Sequence, residues 1–206
     1  MPISYPLALP TNKGLAKIRL TANNVVGVSQ SPFTAKQQVY KYTGQFWEAE
    51  INLPPMKRAD AEYWISFLLK LNGQYGTFLL GDPNGSTARG TATGTPLVNG
   101  GAQTGNELIT DGWTNSITGI LKAGDYIQLG SGATAQLYKV LDDVNSNGSG
   151  QATLTLWPDL RSAPADNAAI TVSSPKGVFR LSSNQQAWDI NEATFYGMTF
   201  AAREAL

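Results

Sequence analysis

Only one segment of the sequence, residues 58–71, repeats its apolar residues with the period of an α-helix. The repeat follows the i, i+3, i+4, i+7 spacing of one buried stripe and consists of Ala61, Trp64, Ile65 and Leu68. The pair Asn72-Gly73 then gives a stop signal for the helix. Because short runs of strand-forming residues occupy most of the remaining chain, the sequence predicts a mainly β fold with one helix.

The segments on either side of this helix have the pattern of strands in one sheet. Apolar and polar residues alternate over 47–53, as in a strand with one buried face. Residues 37–42 are rich in β-forming side chains, and Thr43-Gly44 supplies a turn, so 37–42 and 47–53 are predicted to pair as a hairpin. Alternation returns over 196–201, and we therefore expect the last strand to rejoin this first sheet.

The middle of the chain has a different composition, rich in Gly, Thr, Ser, Ala and Asn, and it follows a dense turn cluster at 81–85. Strands are predicted near 103–109, 125–129, 136–141, 152–157, 169–172 and 178–181, a series typical of a small β-barrel or sandwich. We thus predict a β-sandwich or split-barrel domain, residues 1–84 plus 182–206, interrupted by an inserted β-barrel domain, residues 85–181.

Composition excludes several classes of function. The 206 residues include no histidine and no cysteine, which removes Ser-His-Asp and Cys-His catalysis, HExxH zinc sites, iron–sulfur clusters and disulfides. Fifteen basic residues balance fifteen acidic ones, so no net charge attracts nucleic acid. We expect no cofactor, no metal, no membrane span and no signal peptide, because no long apolar stretch and no basic N-terminal region are present.

The middle segment also holds the candidate site residues for an enzyme or a carbohydrate-binding module. Carboxylate pairs for glycoside hydrolysis could come from Asp111, Asp125, Asp142, Asp143, Asp159 and Asp166, but any β-rich domain of this size offers such pairs, and we predict no catalytic residue. Trp113 is predicted to lie in a loop. Its ring is a candidate glycan contact through stacking, and the alternative is a loop anchor that plugs the end of the barrel.

A series of short phrases runs through nearly the whole chain in a fixed order. They are Ser4-Tyr5-Pro6, Ser31-Pro32-Phe33-Thr34, Trp47 with Leu53-Pro54-Pro55-Met56, Gly76-Thr77-Phe78 with Gly81-Asp82-Pro83, Leu121-Lys122-Ala123-Gly124-Asp125-Tyr126-Ile127, Leu137-Tyr138-Lys139-Val140, Trp157-Pro158-Asp159-Leu160-Arg161 and Phe179-Arg180-Leu181. In this series the chain resembles the distal tail proteins of long-tailed bacteriophages. It departs from them in one respect, because their second domain often follows the first, whereas here it is placed inside.

The resemblance implies a structural virion protein of the tail tip or baseplate. Such proteins form a homohexameric ring that joins the tail tube to the hub or fibre apparatus, and a peripheral barrel, in some members OB-like, decorates the ring. The expected location is the virion tail, after synthesis in the host cytoplasm. The expected partners are further copies of the chain, the tube protein and hub or fibre proteins. The alternative function is a carbohydrate-binding module that contacts host surface glycans.

Ring closure requires one patch of a subunit to meet a different patch on the next copy. Edge strands are natural patches because their backbone N–H and C=O groups are unpaired. We predict the hairpin and the terminal strand to supply the oligomer interface, with candidate residues Gln37, Gln38, Tyr40, Tyr42, Phe200 and Arg203. Deletion of residues 201–206 is accordingly expected to impair ring assembly and to leave the middle domain folded.

Overall fold

The computed structural model describes residues 3–206, and within this range it is mainly β with a single α-helix. The helix is α1 (Arg58–Lys70). The strands are β1 (Lys17–Asn23), β2 (Val26–Gln30), β3 (Gln37–Lys41), β4 (Phe46–Asn52), β5 (Phe78–Leu80), β6 (Gly94–Val98), β7 (Gly105–Trp113), β8 (Tyr126–Leu129), β9 (Gln136–Val140), β10 (Ala152–Leu160), β11 (Ile170–Thr171), β12 (Gly177–Leu181), β13 (Asp189–Ile190), β14 (Tyr196–Gly197) and β15 (Thr199–Glu204). No helix in the described range is long and apolar enough to span a bilayer.

Five strands in the order β1-β4-β15-β12-β5 form the first sheet, with every neighbouring pair antiparallel. The predicted alternation is present in β4, where Trp47, Ala49 and Ile51 are buried while Glu48 and Glu50 lie on the opposite face. The last strand, β15, pairs with β4 and β12, as the alternation near the C-terminus predicts.

Helix α1 covers the apolar face of this sheet. Its buried side chains are Ala61, Trp64, Ile65, Phe67 and Leu68, four of which form the predicted stripe. Aromatic rings join the two layers, with ring centroids 5.6 Å apart for Phe67 and Phe78 and 6.3 Å apart for Trp64 and Phe200. The helix ends where Asn72 and Gly73 take positive φ angles of 50° and 65°. The predicted helix is therefore confirmed.

A second sheet, in the order β11-β8-β9-β10-β7-β6, curls into a nearly closed six-stranded barrel. Its outer strands approach each other through the Leu97 and Ala169 bridge, and the Val98 N–H donates to the Ala168 carbonyl at 2.9 Å. Side chains fill the interior: Val98, Leu108, Trp113, Ile120, Leu121, Ile127, Leu129, Tyr138, Val140, Val144, Ala152, Leu154, Leu156 and Ile170. The barrel is thus a packed core, and the predicted mainly β fold with a barrel is confirmed.

The two connections of the barrel run side by side where it leaves the first sheet. Strands β5 and β12 are antiparallel neighbours, with Leu80 opposite Gly177. Beyond them the Ser174 N–H donates to the Ser86 carbonyl at 2.7 Å. A Cβ on Gly81 would lie 2.2 Å from the Pro175 carbonyl oxygen, so only glycine permits this approach. The barrel therefore occupies the position of a turn between two paired strands.

Two strand pairings differ from the sequence prediction. Residues 178–181 were predicted in the barrel, but as part of β12 they pair with β5 and β15 of the first sheet. Residues 37–42 were predicted to pair with 47–53, but β3 pairs with β2 instead, because β4 has both of its neighbours in β1 and β15. In both cases a strand is present where the sequence predicts one, while its partner lies elsewhere in the sequence.

Candidate assembly surfaces

Strands β2 and β3 and the turn between them, residues 31–36, form a two-stranded ribbon that we call the arm. All ten strand residues except Gly27 are exposed. The pair Val28 and Val39 lies on one face of the arm, and Tyr40 lies on the other. At the turn, Phe33 is 94% exposed. Apolar side chains thus face solvent on both faces and at the tip of the arm.

The base of the arm is fixed to the barrel, although the two strands of the arm are exposed to solvent. The Lys41 ammonium nitrogen lies 2.8 Å from a carboxylate oxygen of Asp159, which is a residue of β10. The Trp157 indole N–H donates to the Asn24 side-chain oxygen at 2.9 Å, and the Asp159 N–H donates to the Gln45 side-chain oxygen at 2.7 Å. These contacts hold the direction of the arm relative to the barrel.

The predicted interface residues fall into two groups. Gln37, Gln38 and Tyr40 lie on β3 and Tyr42 follows it, and all four are exposed. The terminal strand differs from the prediction, because β15 lies between β4 and β12 and is not an edge. Its two candidate residues take other positions: Phe200 is buried in the core, and Arg203 stacks its guanidinium 4.1 Å from the centroid of the Phe46 ring.

A cleft of about 940 Å³ lies between the barrel and the first sheet. Its walls contain small and apolar side chains from the barrel, including Ala133, Ala135, Leu160, Ala163 and Pro164. Thr43 and Gln45 from the base of the arm and Leu206 complete the rim. The sequence alone does not predict this cleft, because its walls come from segments that are distant in the chain.

A buried ion pair forms the floor of the cleft. The Arg161 guanidinium binds both carboxylate oxygens of Glu204, and the Trp47 N–H donates to the same carboxylate at 2.9 Å. Burial raises the pKa of the Glu204 carboxyl above its usual range, against the opposing effects of Arg161 and the Trp47 N–H. Burial likewise raises the pKa of Tyr138, whose hydroxyl accepts the Arg161 N–H at 3.4 Å. The pair connects the residue that follows β10 to the terminal strand β15.

Trp113 does not occupy the predicted loop position. It is the last residue of β7, it is 3% exposed, and its indole N–H donates to the Thr110 hydroxyl at 2.8 Å. The ring belongs to the barrel core, so neither of its faces is open for stacking on a sugar. The expectation that Trp113 forms a glycan platform is therefore wrong. The alternative, a loop anchor that plugs the end of the barrel, agrees with the burial of the ring in the barrel core but not with its position on a strand.

The carboxylates of the barrel form structural hydrogen bonds. Asp125 is buried and accepts the backbone N–H groups of Arg89, Gly90 and Lys122 at 2.7, 3.1 and 2.8 Å. Asp143 accepts the Ala123 N–H and the Lys122 ammonium, both at 2.9 Å, and these two contacts lower the pKa of its carboxyl. Within residues 3–206, no group of three or more acidic side chains is arranged to hold a metal ion.

Residues 84–174 match a family model described as the B domain of distal tail protein pb9. This segment contains the barrel together with its two adjacent connections to the first sheet. The segment is similar to the B domain of this distal tail protein. The match confirms the predicted resemblance to phage distal tail proteins, and it supports a structural role for the chain in a phage tail. No match to the chain was found among curated proteins.

Proposed function

We propose that the chain is a structural component of the virion that forms a homohexameric ring at the distal end of a phage tail. In this proposal the ring belongs to the baseplate region and connects the tail tube to the hub or fibre apparatus. Its function is assembly and not catalysis. The B domain supports the tail assignment, and the number of copies follows from the resemblance to distal tail proteins.

The exposed apolar side chains of the arm are the observation that supports self-association. Burial of a valine or phenylalanine side chain contributes about 1.5–3 kcal/mol relative to leaving it in water. The arm leaves Val26, Val28, Val39, Tyr40 and Phe33 between 48% and 94% exposed, so a large part of this contribution is not realised. A ribbon of two strands is also marginally stable alone, and contact with another chain would stabilise it. A second copy of the chain supplies such a contact in a ring.

The contact in a ring must be heterologous, because each subunit presents its arm to one neighbour and receives an arm from the other.

The first sheet offers a further surface for contact between copies. Among the described residues, β1 pairs with β4 alone, so its other edge presents unpaired backbone groups. At the opposite side of the sheet, Leu7 covers β5 through N–H and C=O contacts with Thr77 and Leu79 at 2.8 and 2.9 Å.

The proposal is tested by mass and symmetry measurements in the presence of the tail tube and hub proteins of the same phage. Light scattering after size exclusion should give six copies of the chain, and electron microscopy should show a six-fold ring between tube and hub. Val39→Glu should prevent ring formation, because it places a charge on the face of the arm that carries Val28 and Val39.

A matched control uses Ile109→Glu, which introduces the same charge at an exposed apolar strand residue of the barrel. Val39 is 59% exposed and Ile109 is 49% exposed. The control should assemble as the unmodified chain does. A chain that stays monomeric with both partners present, or a native tail tip that lacks this protein, would refute the proposed function.

A further inference from the structure

We propose that the barrel is a hinged unit, which turns about its two connections to the first sheet and is held closed by residues 157–161 at the end of β10. We call these residues the latch. The motion takes place within one chain and does not require the proposed ring. It changes the cleft between the barrel and the first sheet, which widens when the latch opens.

The hinge consists of the two segments that connect the barrel to β5 and β12, at residues 81–86 and 174–177. The segments lie side by side, since the Ser174 N–H donates to the Ser86 carbonyl at 2.7 Å. A few residues in such connections are enough to absorb the backbone rotations of a moving unit. Because the two segments are adjacent, both can turn about one common axis.

One group of polar contacts between the barrel and the first sheet lies close to this hinge. The Lys176 N–H donates to the Gln128 side-chain oxygen at 2.8 Å. Two residues later, the Val178 N–H donates to the Ala135 carbonyl at 3.1 Å. Contacts beside an axis move little during a rotation, so the barrel can keep both of them when it turns.

The apolar contacts of the barrel with the core under α1 are also on the hinge side. Tyr126 and Leu137 are the two barrel residues buried in that core. A Cβ on Gly85 would lie 2.6 Å from the Tyr126 ring, and a Cβ on Gly177 would lie 3.0 Å from the Leu137 Cβ. The Trp47 indole N–H reaches the same place, where it donates to the Leu137 carbonyl at 3.1 Å.

All other side-chain hydrogen bonds between the barrel and the rest of residues 3–206 involve the latch. Three of its residues, Trp157, Asp159 and Arg161, make these bonds. Their partners are Asn24, Lys41 and Gln45 at the base of the arm and Glu204 on β15. One short segment therefore holds the side of the barrel that is away from the hinge.

The Arg161 and Glu204 pair makes the latch reversible. The Glu204 side chain is 2% exposed and the Arg161 side chain is 12% exposed. Burial removes water from both charges, and this cost offsets much of their attraction. Within the described residues, the buried Arg161 Nε also has no hydrogen-bond partner. Opening returns water to all of these groups, so the closed position is favoured by a small difference between opposing effects.

The cleft provides the space for the motion. Its volume is about 940 Å³, and its barrel wall includes Ala133, Ala163 and Ala165. Long side chains that interdigitate across an interface resist a change in its geometry, whereas alanine side chains do not interlock. The barrel can therefore change its angle to the first sheet without repacking this wall.

Distances between two spin labels test the hinge, because the natural chain contains no cysteine and two can be introduced. Ser66→Cys on α1 and Glu107→Cys on β7 place the labels at exposed positions of the two units. The chain with its natural latch should show one main distance. Arg161→Met should raise the ratio of displaced to closed molecules about tenfold or more, because it leaves the Glu204 carboxylate buried without its cation.

A matched control and a rescue variant separate opening from misfolding. Lys122→Met removes the cation that pairs with Asp143 at 2.9 Å inside the barrel, and it should leave the distance unchanged. Addition of Glu204→Gln to Arg161→Met should restore the main distance, because a neutral amide is less costly to bury than a carboxylate. An unchanged distance in Arg161→Met, or an equal change in Lys122→Met, would overturn the hinge.

Amide hydrogen exchange tests the unmodified chain. Opening of the latch frees the Asp159 N–H from the Gln45 side chain and exposes little further surface, so its exchange rate should hardly depend on low urea concentrations. The Val178 N–H beside the hinge should exchange only on unfolding, at a rate that rises steeply with urea. An equal urea dependence at Asp159 and Val178 would show that the barrel leaves the sheet only when the chain unfolds, and the hinge would be wrong while the ring proposal stands.

Discussion

At the scale of one residue, the carboxylate of Asp125 connects two segments at the start of the barrel. Its two oxygens accept backbone N–H groups from Arg89 and Gly90, in the segment that enters the barrel, and from Lys122, in the turn before β8. Backbone N–H groups that are buried without an acceptor destabilise the fold. A single side chain thus accepts three backbone N–H groups and joins two loops of the barrel.

We expect Asp125→Asn to lower the free energy of unfolding by about 2–3 kcal/mol, because an amide has one acceptor oxygen and its NH₂ group faces N–H donors. Urea denaturation followed by circular dichroism measures the change. Asp142→Asn is the control, since Asp142 is exposed and nearby, and its effect should stay within about 0.5 kcal/mol. Equal effects of the two substitutions would show that the three hydrogen bonds do not stabilise the barrel.

Helix α1 is the element that gives the first sheet its second layer. Successive residues of the helix have opposite environments: Leu68 is 1% exposed against the sheet, and Leu69 is 57% exposed on the solvent side. The arm is the contrasting element, because both of its faces are exposed and its position depends on contacts at its base. Helix α1 is stabilised by contacts within the chain, and the exposed arm is the element that the proposed ring would use.

Leu68→Ala should lower the free energy of unfolding by about 2–5 kcal/mol, because it leaves a cavity between α1 and the sheet. Leu69→Ala changes the same side chain one residue later, and its effect should be within about 0.5 kcal/mol, since alanine favours the helix and the leucine is exposed. Urea denaturation of both variants gives the comparison. A loss for Leu69→Ala as large as for Leu68→Ala would contradict the packing of α1 on the sheet.

The elements that the sequence predicts well are those determined by a local period. The apolar stripe on α1 and the alternation of apolar and polar residues in β4 each give the element one apolar face, and both elements form as predicted. Pairing partners are set by tertiary contacts, which is why the assignments of β3 and β12 were wrong. The cleft was missed for the same reason, because Arg161 and Glu204 meet only in the folded chain. An exposed Phe33 has no local signal, since apolar residues in turns occur in either environment.

The whole molecule is organised as a barrel inserted between two paired strands of a sheet. The barrel core consists of residues between 98 and 170, while the core under α1 takes only Tyr126, Leu137 and the partly buried Trp157 from the barrel. The Trp47 ring packs 4.4 Å from Trp157, and its indole N–H donates to the Leu137 carbonyl at 3.1 Å. These contacts orient the barrel on the sheet, and none of the three residues belongs to the core cluster inside the barrel.

The predicted division into two domains can therefore be tested by excision. A fragment of residues 84–174 retains the complete barrel core, and its ends are already adjacent through the contact between Ser86 and Ser174. We expect this fragment to fold alone, with dispersed amide resonances and one cooperative urea transition, because excision breaks no strand pairing of the barrel.

A fragment of residues 100–190 has the same length but lacks β6, whose pairing with β7 and contact with β11 close the barrel. Removal of β6 also deletes Val98 from the core and leaves the edges of β7 and β11 open to aggregation. This fragment should show no cooperative transition. If residues 84–174 also unfold without cooperativity, the barrel depends on the first sheet for its stability, and the inserted unit is a structural extension of that sheet and not a domain.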